Sequence, residues 1–192
     1  KENQDIVFNG DGYSDAWVQE AARRGLPNEK SIVDAIPAYV SDSSVEMFEK
    51  LGVMTKRELM ARKEIKLEEY AGLINIEART MIDMASKLYL PAAISFVNRV
   101  ASSMNTVRTA SQTADVSAQE TILLKASNLL SSTQKALDAL KAAADKASTA
   151  KEYHDLVLPA MAALRAPVDE LENIVDRDYW PVPTYGELMF EV

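Results

Sequence analysis

Apolar residues recur along this chain at helical spacing, and the recurrence is tightest in three stretches. From Thr55 onward, Leu59, Leu67, Tyr70, Ile74, Met81, Met84 and Leu88 fall at or near the helical repeat. Thr55 and Glu58 make a capping box that would start this helix. Further on, Ile122, Ala126, Leu129, Thr133, Leu137, Leu140 and Ala144 follow intervals of 4, 3, 4, 4, 3 and 4, the seam of a bundle. Ser117 with Glu120 opens that helix. Thr149 with Glu152 caps a third, in which Tyr153, Leu156, Ala160, Leu164, Pro167, Leu171 and Ile174 repeat the rhythm. The short Ala/Ser-rich turn near 146–149 makes the last two helices antiparallel neighbours. The pattern therefore predicts an all-α fold: an antiparallel bundle of three long helices with short helices at its N-terminal end.

Prolines and polar runs punctuate this scheme. Pro91 lacks an N–H and its ring meets the carbonyl of Lys87, so a kink is expected there, with a complete break as the alternative. Ala92, Ala93, Ile94 and Val97 resume the helical pattern at once. Continued to Arg108, that helix would be roughly 80 Å long at 1.5 Å per residue. Residues 102–117, rich in Ser, Thr, Asn and Gln, are expected to supply a connection. Pro159 and Pro167 should bend the last helix without ending it.

Residues 1–54 read as an irregular lead-in. Ile6-Val7-Phe8 runs into Asn9-Gly10-Asp11-Gly12, a turn signal with no obvious partner strand, and is expected to be loose. Ser14 is placed to cap a helix over 15–24 that Gly25 ends. Ser31 with Asp34 could start one short turn, ended by Pro37. Ser43 with Glu46 reads as a capping box before Met47, Phe48 and Leu51, with Gly52 past the end. The long-helix bundle is assigned to 55–176. In the tail, 177–192, two prolines one residue apart imply an extended path, and four aromatics lie close together. Exposing so much aromatic surface is unfavourable. Trp180, Tyr185 and Phe190 are therefore expected to pack on the bundle or at a subunit contact.

Composition narrows function by exclusion. The net charge of −8 comes without a compensating basic patch, which argues against nucleic acid. Eighteen consecutive apolar residues occur nowhere, and the helices carry mixed charge on their polar faces, so neither a membrane span nor a membrane-surface helix is expected. There is no cysteine, hence no disulfide, thiolate ligand or thiol nucleophile, in keeping with a cytoplasmic setting. The chain opens at Lys1 without a secretory pattern and reads as part of something longer.

Candidate chemistry is thin. The one histidine, His154, sits in Glu152-Tyr-His-Asp155, whereas a carboxylate-bridged di-iron bundle needs Glu-x-x-His twice. Glu68 and Glu69, or Asp169, Glu170 and Glu172, could be imagined as acid/base pairs, but adjacent carboxylates on one helix point apart and read as a solvated face. Gly10-Asp11-Gly12 has half of a dinucleotide fingerprint, with Asp at position 15, and reads as a turn. No catalytic, cofactor-binding or metal-ligating residue is expected in this chain.

Four segments add more. Ile6-Val-Phe-Asn-Gly-Asp-Gly-Tyr-Ser14 with Trp17 and Glu20-Ala-Ala-Arg-Arg-Gly-Leu26 comes first, then Phe48-Glu-Lys-Leu-Gly-Val53 with Thr55 and Glu58-Leu59. Then come Asn75-Ile-Glu-Ala78 with Thr80-Met-Ile-Asp-Met84 and Leu90-Pro91-Ala92, and finally Arg177-Asp-Tyr-Trp-Pro-Val-Pro-Thr-Tyr185. In this order they resemble the C-terminal region of type III glutamine synthetases. The resemblance is loose over 119–160, where periodicity carries the reading. It implies a parent enzyme that joins glutamate and ammonia using ATP and a divalent metal, Mg or Mn, and assembles as a homo-oligomer. It also implies that catalysis lies in a core outside this chain, which would be the chain's main partner. No catalytic motif of the family can be laid on these residues. The competing expectation is an unrelated helical interaction or adaptor bundle.

Overall fold

The computed structural model describes residues 7–190, and of Tyr185 only the backbone. Every regular element among the described residues is helical. By compactness the chain divides into two units, 1–67 and 68–192. The division falls within one continuous helix rather than at the change of sequence character near position 55.

The first unit holds α1 (Asp15–Arg23), α2 (Ile32–Tyr39), α3 (Asp42–Lys50) and the beginning of α4 (Lys56–Met84). Ser14 caps α1 through its Oγ, which accepts from the Trp17 N–H at 3.4 Å. Gly25 and Gly52 take φ of +71° and +64° after α1 and α3, the left-handed stop that glycine adopts without strain. Two expectations are corrected here. Pro37 lies inside α2 rather than ending it: only one intrahelical bond is forfeited, and the helix runs out two residues later at Tyr39. The cap of α3 is Ser41, not Ser43, its Oγ accepting from the Ser44 N–H at 3.3 Å. Ile6 lies outside the described residues, but Phe8 is not loose. It stacks on Trp17 with ring centroids 4.4 Å apart. Ala21, Ile36, Val45 and Leu59 are buried.

The second unit is the bundle. After α4 comes a π-helical turn (Ala85–Tyr89), then α5 (Leu90–Ala110), α6 (Ser117–Lys146), α7 (Ala150–Glu152), a second π turn (Tyr153–Val157), α8 (Leu158–Glu172) and a short α9 (Tyr185–Phe190). Both α5 and α8 pack on α6. Ile74, Ala78, Tyr153 and Val157 share one core cluster with Leu137, Leu140 and Ala144, while Ala93, Phe96, Leu171 and Val175 cluster with Ala126. Rising numbers on the outer helices thus meet falling numbers on α6, and both run antiparallel to it. The seam of α6 is buried as its spacing predicts at Ala126, Thr133, Leu137, Leu140 and Ala144, whereas Ile122 at its start is exposed. Residues 102–110, expected in part as connection, instead complete α5, where Thr106 and Thr109 bond back to the carbonyls four residues earlier. The link to α6 shrinks to 111–116.

The two π turns account for the prolines. Each ends at the leucine of a Leu-Pro pair: the Leu90 N–H reaches the Ala85 carbonyl, and the Leu158 N–H reaches that of Tyr153. The widened turn accommodates a proline ring that an α turn would press against the carbonyl four residues earlier. Helix therefore continues through Pro91 and Pro159. Leu156, expected in the seam, faces outward, and Val157 takes its place with no exposed surface.

Candidate functional site

The tail is the part of the second unit that sequence singled out, and it is held by a small set of polar bonds. A tight turn at Asp176 accepts backbone N–H groups from Tyr179 and Trp180 at 2.9 and 3.1 Å. Arg177 ties two levels together: Nη1 donates to the Trp180 carbonyl at 3.1 Å and Nε to Glu187 Oε1 at 2.6 Å. The other Glu187 oxygen accepts from the Thr184 N–H at 2.7 Å and its hydroxyl at 3.0 Å, while the Glu187 N–H donates to Thr184 Oγ1. Those bonds, from Thr184 first and Arg177 next, hold the Glu187 carboxyl below its ordinary pKa. Thr184-x-x-Glu187 is a capping box legible in the sequence, and it starts α9 directly after the non-helical stretch that holds the two prolines.

This scaffold sets Trp180 into the bundle at 4% exposure, stacked on Tyr89 of the first π turn. Tyr179 packs its ring edge toward Phe96 and lies under the guanidinium of Arg99, 5.9 Å from the ring centroid. Bonding to the Tyr179 hydroxyl raises the Arg99 pKa further. Phe190, by contrast, is 79% exposed and does not pack on the bundle, and the Tyr185 side chain lies outside the described residues. Beside Trp180 are two adjoining grooves of about 250 Å³ each, sharing Met84, Tyr89, Val168 and Asp169. Their walls are mostly apolar, with the Arg165–Asp169 ion pair at the rim. The Trp180 indole N–H is buried without a hydrogen-bond partner. Such a surface can hold an apolar contact.

The other candidates are structural. His154 Nδ1 lies 2.9 Å from Asp155 Oδ1, near Tyr70. Asp155 also pairs with Lys151, and these two contacts lower its pKa. Glu152 accepts from the backbone and hydroxyls of Ser148 and Thr149, which brings its carboxyl to about 2. Glu20 is brought to about 2 by hydrogen bonds from Arg23 and Arg24. Glu68, Glu69 and Glu170 are exposed, and Asp169 is engaged by Arg165. Gly10–Gly12 belong to a turn in which Asp11 accepts from the Tyr13 N–H. Among the described residues no group of three or more His, Cys, Asp or Glu side chains is placed to hold a metal. The carboxylates most engaged here cap helices or pair with basic side chains. Nor is any described helix long and apolar enough to cross a membrane.

Comparison with known proteins supplies what the geometry lacks. A family model described as the glutamine synthetase C-terminal domain matches residues 1–108. Over 97% of its length the chain is 36% identical to a glutamine synthetase of Butyrivibrio fibrisolvens, covering 28% of that protein. It is 33% identical to a type-3 glutamine synthetase of Dictyostelium discoideum, over 96% of this chain and 27% of that protein. A glutamine synthetase of Bacteroides fragilis is also 33% identical, over 98% of this chain and 27% of its own length. The chain thus spans little more than a quarter of the curated relatives it matches. With more than half of its residues under the family model and nearly all of them aligned to these enzymes, the chain belongs to the glutamine synthetase C-terminal domain family.

Proposed function

We propose that this chain is the non-catalytic helical C-terminal portion of a type III glutamine synthetase, a cytoplasmic homo-oligomer that makes glutamine from glutamate, ammonia and ATP. In this reading ATP and a divalent metal act in a catalytic core outside the chain. The helical portion supports that core and its assembly. The carrying observation is the lopsided coverage: almost the whole chain aligns, but to only 27–28% of each enzyme. Several acidic side chains agree, because Glu152 and Glu187 cap helices and Asp169 pairs with Arg165.

The test is an assay of γ-glutamyl hydroxamate formation with ATP and Mg²⁺ or Mn²⁺. The purified 192-residue chain is expected to show none. The product of the complete gene, carrying the same residues, is expected to turn over. Activity in the isolated chain, or an inactive complete product, would remove the reading.

A further inference from the structure

One face of α4 is built in a way that nothing among the described residues explains. Gly72 lies in the interior of a 29-residue helix, where glycine weakens the helix relative to alanine. Its φ is not positive, and a Cβ added there would meet no atom within 4 Å. Neither conformation nor packing among the described residues calls for glycine at that position. Next to it Leu73 and Ile76 are 56% and 65% exposed, while Ile74 and Ala78 on the opposite side are buried in the bundle core. Glu69, Gly72, Ile76, Arg79 and Asp83 are spaced at intervals of 3, 4, 3 and 4, the straight stripe of a helix that packs along another helix.

We propose that this stripe is the contact face for a second copy of the chain, with the two α4 helices antiparallel about a two-fold axis. The register comes from shape and charge together. With Ile76 of one copy set into the notch left by Gly72 of the other, antiparallel helices bring Glu69 opposite Arg79, and symmetry repeats both contacts. An in-register parallel pair would instead set Glu69 on Glu69 and Arg79 on Arg79, and would leave the two Gly72 notches facing each other unfilled. Charge selects the antiparallel arrangement. Arg79 already donates through Nη1 to Asp145 Oδ1 at 2.7 Å and through Nη2 to the Ala144 carbonyl at 3.3 Å. A guanidinium carries further N–H donors, and this side chain is 49% exposed, so it can serve both carboxylates. Leu73 flanks the notch and adds apolar area. A contact of one helix face is small, so the association is weak in isolation. The pairing does not depend on the ligase reading, since self-association and hydroxamate formation are measured separately.

Sedimentation velocity on the 192-residue chain, from about 10 µM to about 1 mM, tests it. The wild type is expected to form dimers with rising concentration. Glu69→Arg and Arg79→Glu are each expected to raise the dissociation constant about tenfold or more, because each sets like charges across both contacts. An equimolar mixture of the two should recover wild-type association, since the mixed pair again juxtaposes opposite charges. Gly72→Leu should abolish association while raising the melting temperature of the monomer, a combination that simple misfolding cannot give. Circular dichroism checks that each variant stays helical. A wild type that is monomeric throughout would mean another partner covers the face and would overturn the proposal. Dimers indifferent to both charge reversals, or a mixture that fails to recover, would overturn it equally.

Discussion

Trp180 and Tyr89 stack with ring centroids 5.1 Å apart and planes 22° apart, joining the tail to the π turn that precedes Pro91. The two residues belong to the stretches where local sequence rules are least able to choose a conformation. Tyr89 is half-buried at the end of a non-α turn, and Trp180 comes after a tight turn and precedes Pro181-Val182-Pro183. Their contact adds area to the second core cluster, with Phe96, Leu171 and Val175, and covers a part of the bundle that the long helices leave open.

Truncating Trp180 should therefore be costly. Trp180→Ala is expected to lower unfolding free energy by about 3 kcal/mol, the range for a buried aromatic. Trp180→Phe should cost about 1 kcal/mol, because it keeps a ring on Tyr89 and removes a buried N–H that has no acceptor. Urea unfolding measures both. In a Trp17→Phe background, which isolates its signal, Trp180 should emit at short wavelength and resist iodide. Emission typical of water-exposed indole would contradict the stacking.

Two adjacent residues of the second π turn differ in burial, and substitution can read the difference. Val157 has no exposed surface, whereas the larger Leu156 is 40% exposed. Val157→Ala is expected to cost about 2 kcal/mol, and Leu156→Ala less than about 1 kcal/mol, although leucine loses more atoms. Burial, not side-chain size, sets that order. Paired denaturation curves decide it.

Such details mark how far the sequence can be read. Periods and caps locate the long helices, because a 30-residue seam such as α6 repeats its signal many times. Thr149–Glu152 and Thr55–Glu58 mark starts for the same reason: the bonding partners lie within one turn. Proline is less legible. Pro37 does not stop its helix, and helix continues through Pro91 by way of a turn widened by one residue rather than breaking there. The local cost of Pro91 can be read from sequence, but the widened turn that absorbs it depends on Ala85 and Leu90 being packed with α6 residues. The end of α5 is legible to within two residues when the helix is continued to Arg108, yet Ser, Thr and Asn in the same stretch weigh as loop formers, although Thr106 and Thr109 satisfy their hydroxyls within the helix. Tyr89 as the partner of Trp180 cannot be found in one sequence, since nothing local encodes that distance.

Acid should weaken the second unit in a defined window. The carboxyl of Glu152 falls from 4.5 to about 2 because the N–H and hydroxyl groups of Ser148 and Thr149 bond its charged form. A group whose pKa is depressed by folding stabilises the fold above its unfolded value. That contribution is lost as pH falls from about 4.5 through about 2. Glu152→Gln is expected to be less stable than wild type at pH 7 and to show a shallower loss across that window. Urea midpoints at several pH values test this. Parallel curves for the two proteins would show that the capping box contributes nothing.

Helix α9 is too short to persist without its cap. Thr184 and Glu187 exchange bonds at its start, and Arg177 holds Glu187 from the preceding turn. Its apolar residues Leu188, Met189 and Phe190 are largely exposed, so little burial compensates if the cap is lost. Thr184→Ala should remove about 1 kcal/mol of local helix stability, enough to melt a single turn. Amide exchange across 185–190 should then accelerate about fivefold, while the isolated Trp180 emission stays unchanged, because its own turn is anchored at Asp176. Exchange unaltered by Thr184→Ala would show that something other than the capping box holds α9. A shift in Trp180 emission would show that the stack on Tyr89 depends on α9 as well as on the Asp176 turn.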